Sequence, residues 1–468
     1  MKLLSNIRLT CAFALLFPCT VLSQKEKPNF LLFLADDCTY RDLGCYGSVD
    51  SQTPNIDNFA KEGMRFTNCF QAVAMSSPTR HNLYTGIWPV RSGAYPNHTF
   101  ANKDVKSIVH HLQPAGYKAA LIGKSHILPE TVFPFDLYVP SLEDGGGIDY
   151  KAVDRFMKEC RDSGNPFCLF VCSNEPHSPW TKGNPGMFDK NKITLPPYYV
   201  DVPELRSDFI CYLAEVNYMD GEFGTVLNIL DENKLKDKTA VVFLSEQGND
   251  MPFAKWTCYD AGVHSGCIIR WPGHIKPASE SEAIVEYVDI VPTFLDMAGA
   301  KPVAKLDGES FLPVLKQEKK EHKQYTFSIQ TSRGIYSGGL YYGIRSVADK
   351  QYRYIINLTP EATFSCYTVE RPFFKKWKEV SEKDEEARKL TTRYQHRPGV
   401  EFYDIKNDPN CLHNLADDSK YATEMKRYAK ALEAWMIECG DKGQQTELEA
   451  WDHMTDDKSG LKDKVQNK

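Results

Sequence analysis

The chain has no excess of positive charge, no apolar run long enough to cross a bilayer, no internal repeat and no recurring CxxC pair, and each absence closes a class of function. Across 468 residues, 56 Lys and Arg face 62 Asp and Glu for a formal charge of -6. No global basic field therefore argues for nucleic acid, although a local cationic pocket is still open. The apolar stretch from Leu9 to Leu22 is short and broken by Pro18, which argues against a membrane span. With Lys2 and Arg8 around its start and a polar run after Ser23, it has the pattern of a secretory signal, so residues 1–23 are expected to be removed and the protein exported to the periplasm or secreted. No small residue precedes Cys19, which makes a poor lipoprotein site. Of the 14 cysteines, Cys11 and Cys19 leave with that segment, and Cys38, Cys69, Cys172 and Cys267 lie in or beside apolar runs as small core hydrophobes. No cysteine spacing matches a zinc ribbon, and any disulfide pairing is unreadable.

What is present is enough apolar material, 42% hydrophobic and 12% aromatic, for a large core and two domains. Short apolar runs alternate with longer amphipathic ones, which predicts an α/β fold with a mainly parallel sheet sandwiched by helices. The strands are NFLLFLADD, KAALIGKSH, PFCLFVCSNEPH, TAVVFLSEQG and SGCIIRWPG; the helices between them are TPNIDNFAKEG, KSIVHHLQPAG, YKAVDRFMKECRDSG and VDIVPTFLDMAGA. After the charged run KQEKKEHKQ the pattern changes to alternating strands, YYGIRSVADKQYRYIINL and VEFYDIKNDPN, and then to a long amphipathic helix, YATEMKRYAKALEAWMIEC. The expected division is residues 24–335 for the main domain and 336–468 for a smaller α+β domain, with a charged, frayed tail after Trp451.

Four of the five strands run straight into polar residues. In an open α/β sheet ligands sit off the carboxyl ends of strands, which gathers Asp36, Asp37, Lys124, His126, His177, Glu246 and Gln247 at one crevice. Adjacent carboxylates such as Asp36 and Asp37 repel unless a cation lies between them, and a hard divalent metal accepts carboxylate and amide oxygens of the kind Glu246 and Gln247 offer. Lys124, His126, His177, Arg80 and Lys255 supply positive donors, and charge of both signs suits a metal with an anionic ester. The stretch SSPTRHNLYTG, Ser76 to Gly86, reads as a helix N-terminus with a Ser directly before Pro, an end that attracts anions. Taken singly, an acidic pair is as easily a turn, a Lys or Arg a solvated charge, a His a structural residue, and this stretch a capped surface helix.

The run KPNFLLFLADDCTYRDLGCYGSVDSQTPNIDNFAKEGMRFTNCF followed by SSPTRHNLYTG resembles the type I, formylglycine-dependent sulfatases of the alkaline-phosphatase-like superfamily. Their signature is Cys or Ser, any residue, Pro, any residue, Arg, then Leu and Gly further along. The likeness extends through GKSH, EPHSPW, VDIVPTFLDMAG and EFYDIKNDPNCLHNLA, nearly the whole mature chain. It implies that Ser76 is the residue oxidised to formylglycine (3-oxoalanine), that Pro78 and Arg80 belong to the recognition sequence, and that an oxygen-independent maturase is the partner. The resemblance further implies one Ca²⁺ held by Asp36, Asp37, Ser76, Glu246 and Gln247. Arg80 and Lys124 would orient the hydrated formylglycine as it attacks sulfur, His126 would assist collapse of the sulfated intermediate, and His177 and Lys255 would hold the sulfate and protonate the leaving group.

Two departures stand out. Glu246-Gln247 replaces the family's usual Asp followed by Asn or His, one methylene longer at each place, so a working metal site with a shifted backbone is expected. His264 stands where many relatives carry Arg. GKSHILPETVFPFD is similar to the sulfamidase-related branch, which includes ulvan-type polysaccharide sulfatases, and this implies a sulfated carbohydrate such as ulvan or glycosaminoglycan oligosaccharides, with O-sulfate favoured over N-sulfate. Trp180, Lys182, Arg345 and His396 are candidate sugar contacts, each of which also suits a core or surface role. A metal-dependent phosphoesterase of the same superfamily and a non-catalytic glycan-binding relative are the alternatives.

Overall fold

The computed structural model describes residues 27–142, 147–339 and 341–455; the expected signal segment lies outside them. Thirteen strands are described: β1 (Asn29–Leu34), β2 (Met64–Phe70), β3 (Lys118–Gly123), β4 (Leu137–Val139), β5 (Phe167–Cys172), β6 (Thr239–Leu244), β7 (His264–Arg270), β8 (Ser279–Ser281), β9 (Val285–Glu286), β10 (Thr326–Gln330), β11 (Ile344–Ala348), β12 (Arg353–Asn357) and β13 (Val400–Tyr403). The first nine form one sheet in the order β4-β3-β5-β1-β6-β7-β2-β8, with β9 also on β2. The five strands from β4 to β6 are parallel, as expected of continuous apolar runs buried on both faces. β7 departs from that direction: it runs antiparallel to both β6 and β2. Its first residue, His264, rather than its Trp271 end, therefore shares an edge with the carboxyl end of β6.

The helices that matter for the site are α1 (Pro54–Glu62), α2 (Ser76–Thr85), α3 (Tyr150–Ser163), α4 (Pro203–Glu232), α5 (Ile290–Ala298) and α6 (Ala422–Cys439). Alternation along β1 divides the core in two. Leu31 and Phe33 join the cluster built with α1, α3 and α4, whereas Phe30, Leu32 and Leu34 join the one built with α2 and α5. All five side chains are fully buried, each worth about 1.5–3 kcal/mol relative to exposure, so the central strand is anchored from both faces. The stiffness of β1 fixes where Asp36 and Asp37 emerge.

A second, fully antiparallel sheet has the order β10-β11-β12-β13 and carries α6. The division expected after residue 335 falls inside this sheet, between β10 and β11. Of the tail expected to fray after Trp451, the part up to residue 455 is tied down, since Met454 bridges Thr99 and the Thr455 N–H donates to the His98 carbonyl at 2.9 Å; the rest lies outside the described residues. Cys38, Cys69, Cys172 and Cys267 are buried and free, and no disulfide occurs among the described residues. Nor, among them, is any helix long and apolar enough to cross a membrane.

Candidate active site

The local chain path that presents Ser76 depends on Gln71. Its amide oxygen accepts from the Val73 N–H at 3.0 Å and the Thr79 hydroxyl at 2.8 Å, and its NH₂ group donates to the Gly262 carbonyl at 3.0 Å. This pins the turn between β2 and α2. The helix starts at Ser76 itself, capped by the backbone of Met75, so no Ser acts as the side-chain cap that the Ser-Pro pair suggested. Pro78 is then in the first turn, where its missing N–H costs nothing. Gly86, at φ 66°, closes the helix in the left-handed region with its N–H on the Asn82 carbonyl.

The Ser76 hydroxyl lies 2.9 Å from Asp36 Oδ1, 3.0 Å from Glu246 Oε2 and 2.9 Å from Gln247 Nε2. Asp36, Asp37, Glu246 and Gln247 are all wholly buried. Asp36 and Asp37 follow β1 and Glu246 and Gln247 follow β6, its direct neighbour, so the parallel register brings the two pairs together. The carboxylates of Asp36, Asp37 and Glu246 each offer an oxygen within 4.8 Å of the others. Asp37 at φ 63° and Glu246 at φ 64° are both left-handed, a conformation costly for residues with a Cβ. The longer Glu246 side chain still reaches: Oε1 accepts from Arg80 Nε at 2.7 Å and Oε2 from the Asp37 N–H at 3.2 Å.

These residues fit a divalent cation. Three buried carboxyls meet at one point, and burial pushes Glu246 up to about 8 despite Arg80. Burial acts on Asp36 as well, but Lys124, His177 and Arg80 outweigh it and hold Asp36 well below the usual carboxylate range. One of two touching carboxyls is thus driven to keep a proton, the place a cation takes when bound. Gln247 gives the second sign. Its Oε1 is buried without a partner while its NH₂ group faces Asp37 and Ser76. Exchanging the two amide ends turns an oxygen ligand toward the cluster.

Positive groups surround the cluster. Arg80 is fully buried, donates also to the Lys124 carbonyl at 2.9 Å, and lies 3.6 Å from Asp36. Lys124 Nζ contacts Asp36 directly. Its placement depends on Gly123, at φ 103°, where a Cβ would stand 2.0 Å from the Cys172 carbonyl oxygen. Lys255 Nζ donates to Asp37 at 2.6 Å and lies 3.4 Å from His177 Nε2. Burial lowers Lys255, but Asp37 and its neighbours more than offset this, so the ammonium is retained. The Lys255 charge, with burial, pushes His177 down; its Nδ1–H donates to the Ser178 carbonyl at 2.6 Å, which leaves Nε2 without a proton and facing Lys255.

His126, with burial and Lys124 holding it well below the ordinary imidazole value, contacts His98 through Nε2 at 3.0 Å. His98 was not anticipated, since nothing in the loop YPNHTF marks it. Ser76, Lys124, His126, His177 and Lys255, all expected from sequence, line one cleft of about 560 Å³. The same cleft includes Trp256, Tyr336, Tyr367, Arg371 and Asp250, none of which stood at a strand end of the sequence pattern.

The four candidate sugar contacts do not line this cleft. Arg345 is fully buried and paired with Asp441 and, at 2.9 Å, with Glu447, which makes it a core residue of the second sheet. Lys182 pairs with Glu175, Trp180 donates to the Pro176 carbonyl at 3.0 Å, and His396 ends the helix Glu385–Gln395. His264 is structural: it bonds Asp260 at 3.2 Å and the Thr67 carbonyl at 2.9 Å and stacks on Tyr40 at 3.8 Å.

Comparison with known proteins supplies an independent view. A family model described as Sulfatase matches residues 28–300, and one described as N-sulphoglucosamine sulphohydrolase, C-terminal, matches residues 248–372. An ulvan-active sulfatase of Formosa agariphila is 33% identical over 427 residues, covering 89% of this chain and 81% of its own. The Homo sapiens N-sulphoglucosamine sulphohydrolase is 27% identical over 478 residues, covering 90% and 92%. A structure solved with its substrate D-glucosamine-2-N,6-O-disulfate superposes with a TM-score of 0.69 at 21% identity, covering 89% of this chain and 99% of that one. A 2-O GAG sulfatase does so at 0.65 and 20%, covering 89% and 93%.

Proposed function

This chain belongs to the sulfatase family, and from that premise we propose that it is an exported enzyme that removes sulfate from a carbohydrate, with a formylglycine derived from Ser76 as nucleophile and Ca²⁺ as the resident metal. The substrate class follows from relatives that act on ulvan or on N-sulphoglucosamine, so ulvan-type polysaccharide or glycosaminoglycan oligosaccharides are the proposed targets. The observation that carries the reading is the Ser76 hydroxyl at the start of α2, against Asp36, Glu246 and Gln247.

Charge decides what the site can hold. Asp36, Asp37 and Glu246 are matched in number by Arg80, Lys124 and Lys255. A divalent cation held by Asp36, Asp37, Glu246, Gln247 and residue 76 supplies the positive surplus that a sulfate ester needs. Formylglycine at position 76 supplies a geminal diol where serine has a single hydroxyl, which calls for oxidation by an oxygen-independent maturase.

The chain's own residues do the rest. Arg80, rigid because each side of its guanidinium is bonded, fixes Glu246 and the end of β3 relative to residue 76. Lys124 and Lys255 approach from β3 and from the loop after β6, and compensate negative charge developed on the sulfate oxygens. His177 Nε2 and the Lys255 ammonium, 3.4 Å apart, form the pair that delivers a proton to the departing sugar oxygen. His126, in contact with His98 at 3.0 Å and in the same cleft as Ser76, would serve as the base beside residue 76. A phosphoesterase of this superfamily typically needs a second ligand set, and among the described residues only Asp36, Asp37 and Glu246 form an acidic, His or Cys group close enough to hold an ion.

Mass analysis of the tryptic peptide Phe66–Arg80 from protein made in its native host, joined to sulfate-release assays on a panel of sulfated oligosaccharides, tests the proposal. Loss of two hydrogens at Ser76 with release of sulfate is expected. Unmodified Ser76, or no release from any member of the panel, refutes it.

A further inference from the structure

One part of the cleft lining is not used by this chemistry, yet it is built. Tyr336 and Tyr367 are 63% and 42% exposed, and their rings meet edge to face with centroids 5.6 Å apart. The two segments are tied together: Ser337 donates to Glu370, and the Ser365 hydroxyl donates to the Ser337 carbonyl at 2.7 Å. Arg371 stands beside them, its guanidinium 5.2 Å from the Tyr367 ring centre and 4.6 Å from that of Trp180. Asp250 pairs with Arg371 at 2.6 Å and is itself held by Ser178 at 2.8 Å and Thr368 at 3.1 Å. Two tyrosines this exposed, fixed by cross-links between loops, present a rigid apolar surface continuous with the cleft that holds Ser76. At about 560 Å³ the cleft has room for more than one sulfate group and falls within the roughly 300–1,000 Å³ of pockets that enclose extended small ligands.

We infer that this part is a subsite for the sugar ring joined to the sulfated one, and that it recognises the apolar C–H face of that ring. The inference rests on the carbohydrate reading above and deepens it: the enzyme reads an oligosaccharide, not a lone sulfated monosaccharide. The C–H face of a pyranose suits the electron-rich tyrosine faces, while the Arg371–Asp250 pair offers donors and acceptors to ring hydroxyls.

The test compares kcat/KM for extended substrates, ulvan oligosaccharides and heparan sulfate disaccharides, with that for single rings, rhamnose sulfate and glucosamine N-sulfate. Wild type favours the extended substrate, and in Tyr336→Ala/Tyr367→Ala the ratio of extended to single-ring kcat/KM falls at least tenfold. Tyr336→Phe/Tyr367→Phe, which keeps the rings, retains the ratio. An unchanged ratio in the alanine variant overturns the subsite. If no substrate loses sulfate, the functional reading fails by itself, and the subsite is judged by calorimetric titration of the same oligosaccharides. Binding to wild type weakened tenfold in the alanine variant supports it; equal binding, or none to wild type, overturns it.

Discussion

Replacing Glu246 with alanine or glycine separates the two burdens this residue carries, its bonds and its backbone. The carboxylate accepts from Arg80, Ser76 and the Asp37 N–H, all in a wholly buried setting. Removing it leaves Arg80 with the Lys124 carbonyl and, as a carboxylate, only the longer 3.6 Å approach to Asp36. Because burial pushes Glu246 up to about 8, it keeps its proton at pH 7 when no metal is bound, and losing this buried hydrogen bond to a charged group costs about 1.5–3 kcal/mol. The opposing term is relief of the left-handed backbone at φ 64°, about 1 kcal/mol and available only to glycine. The first effect wins for both variants, so Glu246→Ala loses about 1.5–3 kcal/mol in urea unfolding with EDTA present, and Glu246→Gly loses about 1 kcal/mol less. Metal adds a second readout. A ligand at 100 times its Kd stabilises wild type by about 2.7 kcal/mol, and loss of one of the carboxylate ligands abolishes this calcium-dependent shift along with sulfate release. A variant that keeps both the calcium shift and full activity refutes the metal assignment. Equal stability of the Ala and Gly variants refutes the claim of backbone strain.

Three further outcomes follow from residues outside the acidic cluster or at its edge. Arg345→Met leaves Asp441 and Glu447 buried without their cation and costs about 3–5 kcal/mol in urea unfolding, while kcat/KM of the folded fraction is unchanged; a raised KM with intact stability would restore Arg345 as a sugar contact. Burial, with a smaller effect of His110, pushes His111 down to about 4 from 6.5, so its contribution is complete above pH 6.5 and lost as pH falls toward 4. The stability of wild type relative to His111→Asn should therefore drop by about 3 kcal/mol across that window, and a flat difference refutes the assignment. Gly123→Ala forces a Cβ to within 2.0 Å of the Cys172 carbonyl at a left-handed position, which should shift β3 and Lys124 and lower both melting temperature and kcat; normal values for both refute the close approach.

Much of the site was legible because parallel strands buried on both faces write themselves as continuous apolar runs, and the first polar residues after them mark the ligand edge. That rule located Asp36 and Asp37 after β1, Lys124 after β3, and Glu246 and Gln247 after β6. It failed where chain direction mattered, because an apolar run carries no sign: β7 reads like its neighbours and runs the other way. It also passed over α4, a 30-residue helix with buried residues on much of its circumference, where burial blurs the amphipathic period. β2 and β10 were missed because polar residues interrupt each apolar run, Arg65, Thr67 and Asn68 in one and Ser328 in the other.

The residues no pattern revealed share one property: they act through a partner. Gln71 holds the turn before Ser76, His98 bonds His126, and Asp250 fixes Arg371 across 121 positions of sequence. A side chain whose role is to hold another has no periodicity of its own, and its type, Gln, His or Asp, is common in loops for unrelated reasons. The sulfate end of the cleft is built on strand termini and was therefore open to sequence reasoning. The sugar end is built from loops that bring together residues 250, 336, 367 and 371, and only the folded chain assembles them. The chemistry of a site like this is therefore easier to read than its specificity, since rigid strands carry the reacting groups and loops carry the groups that choose the substrate.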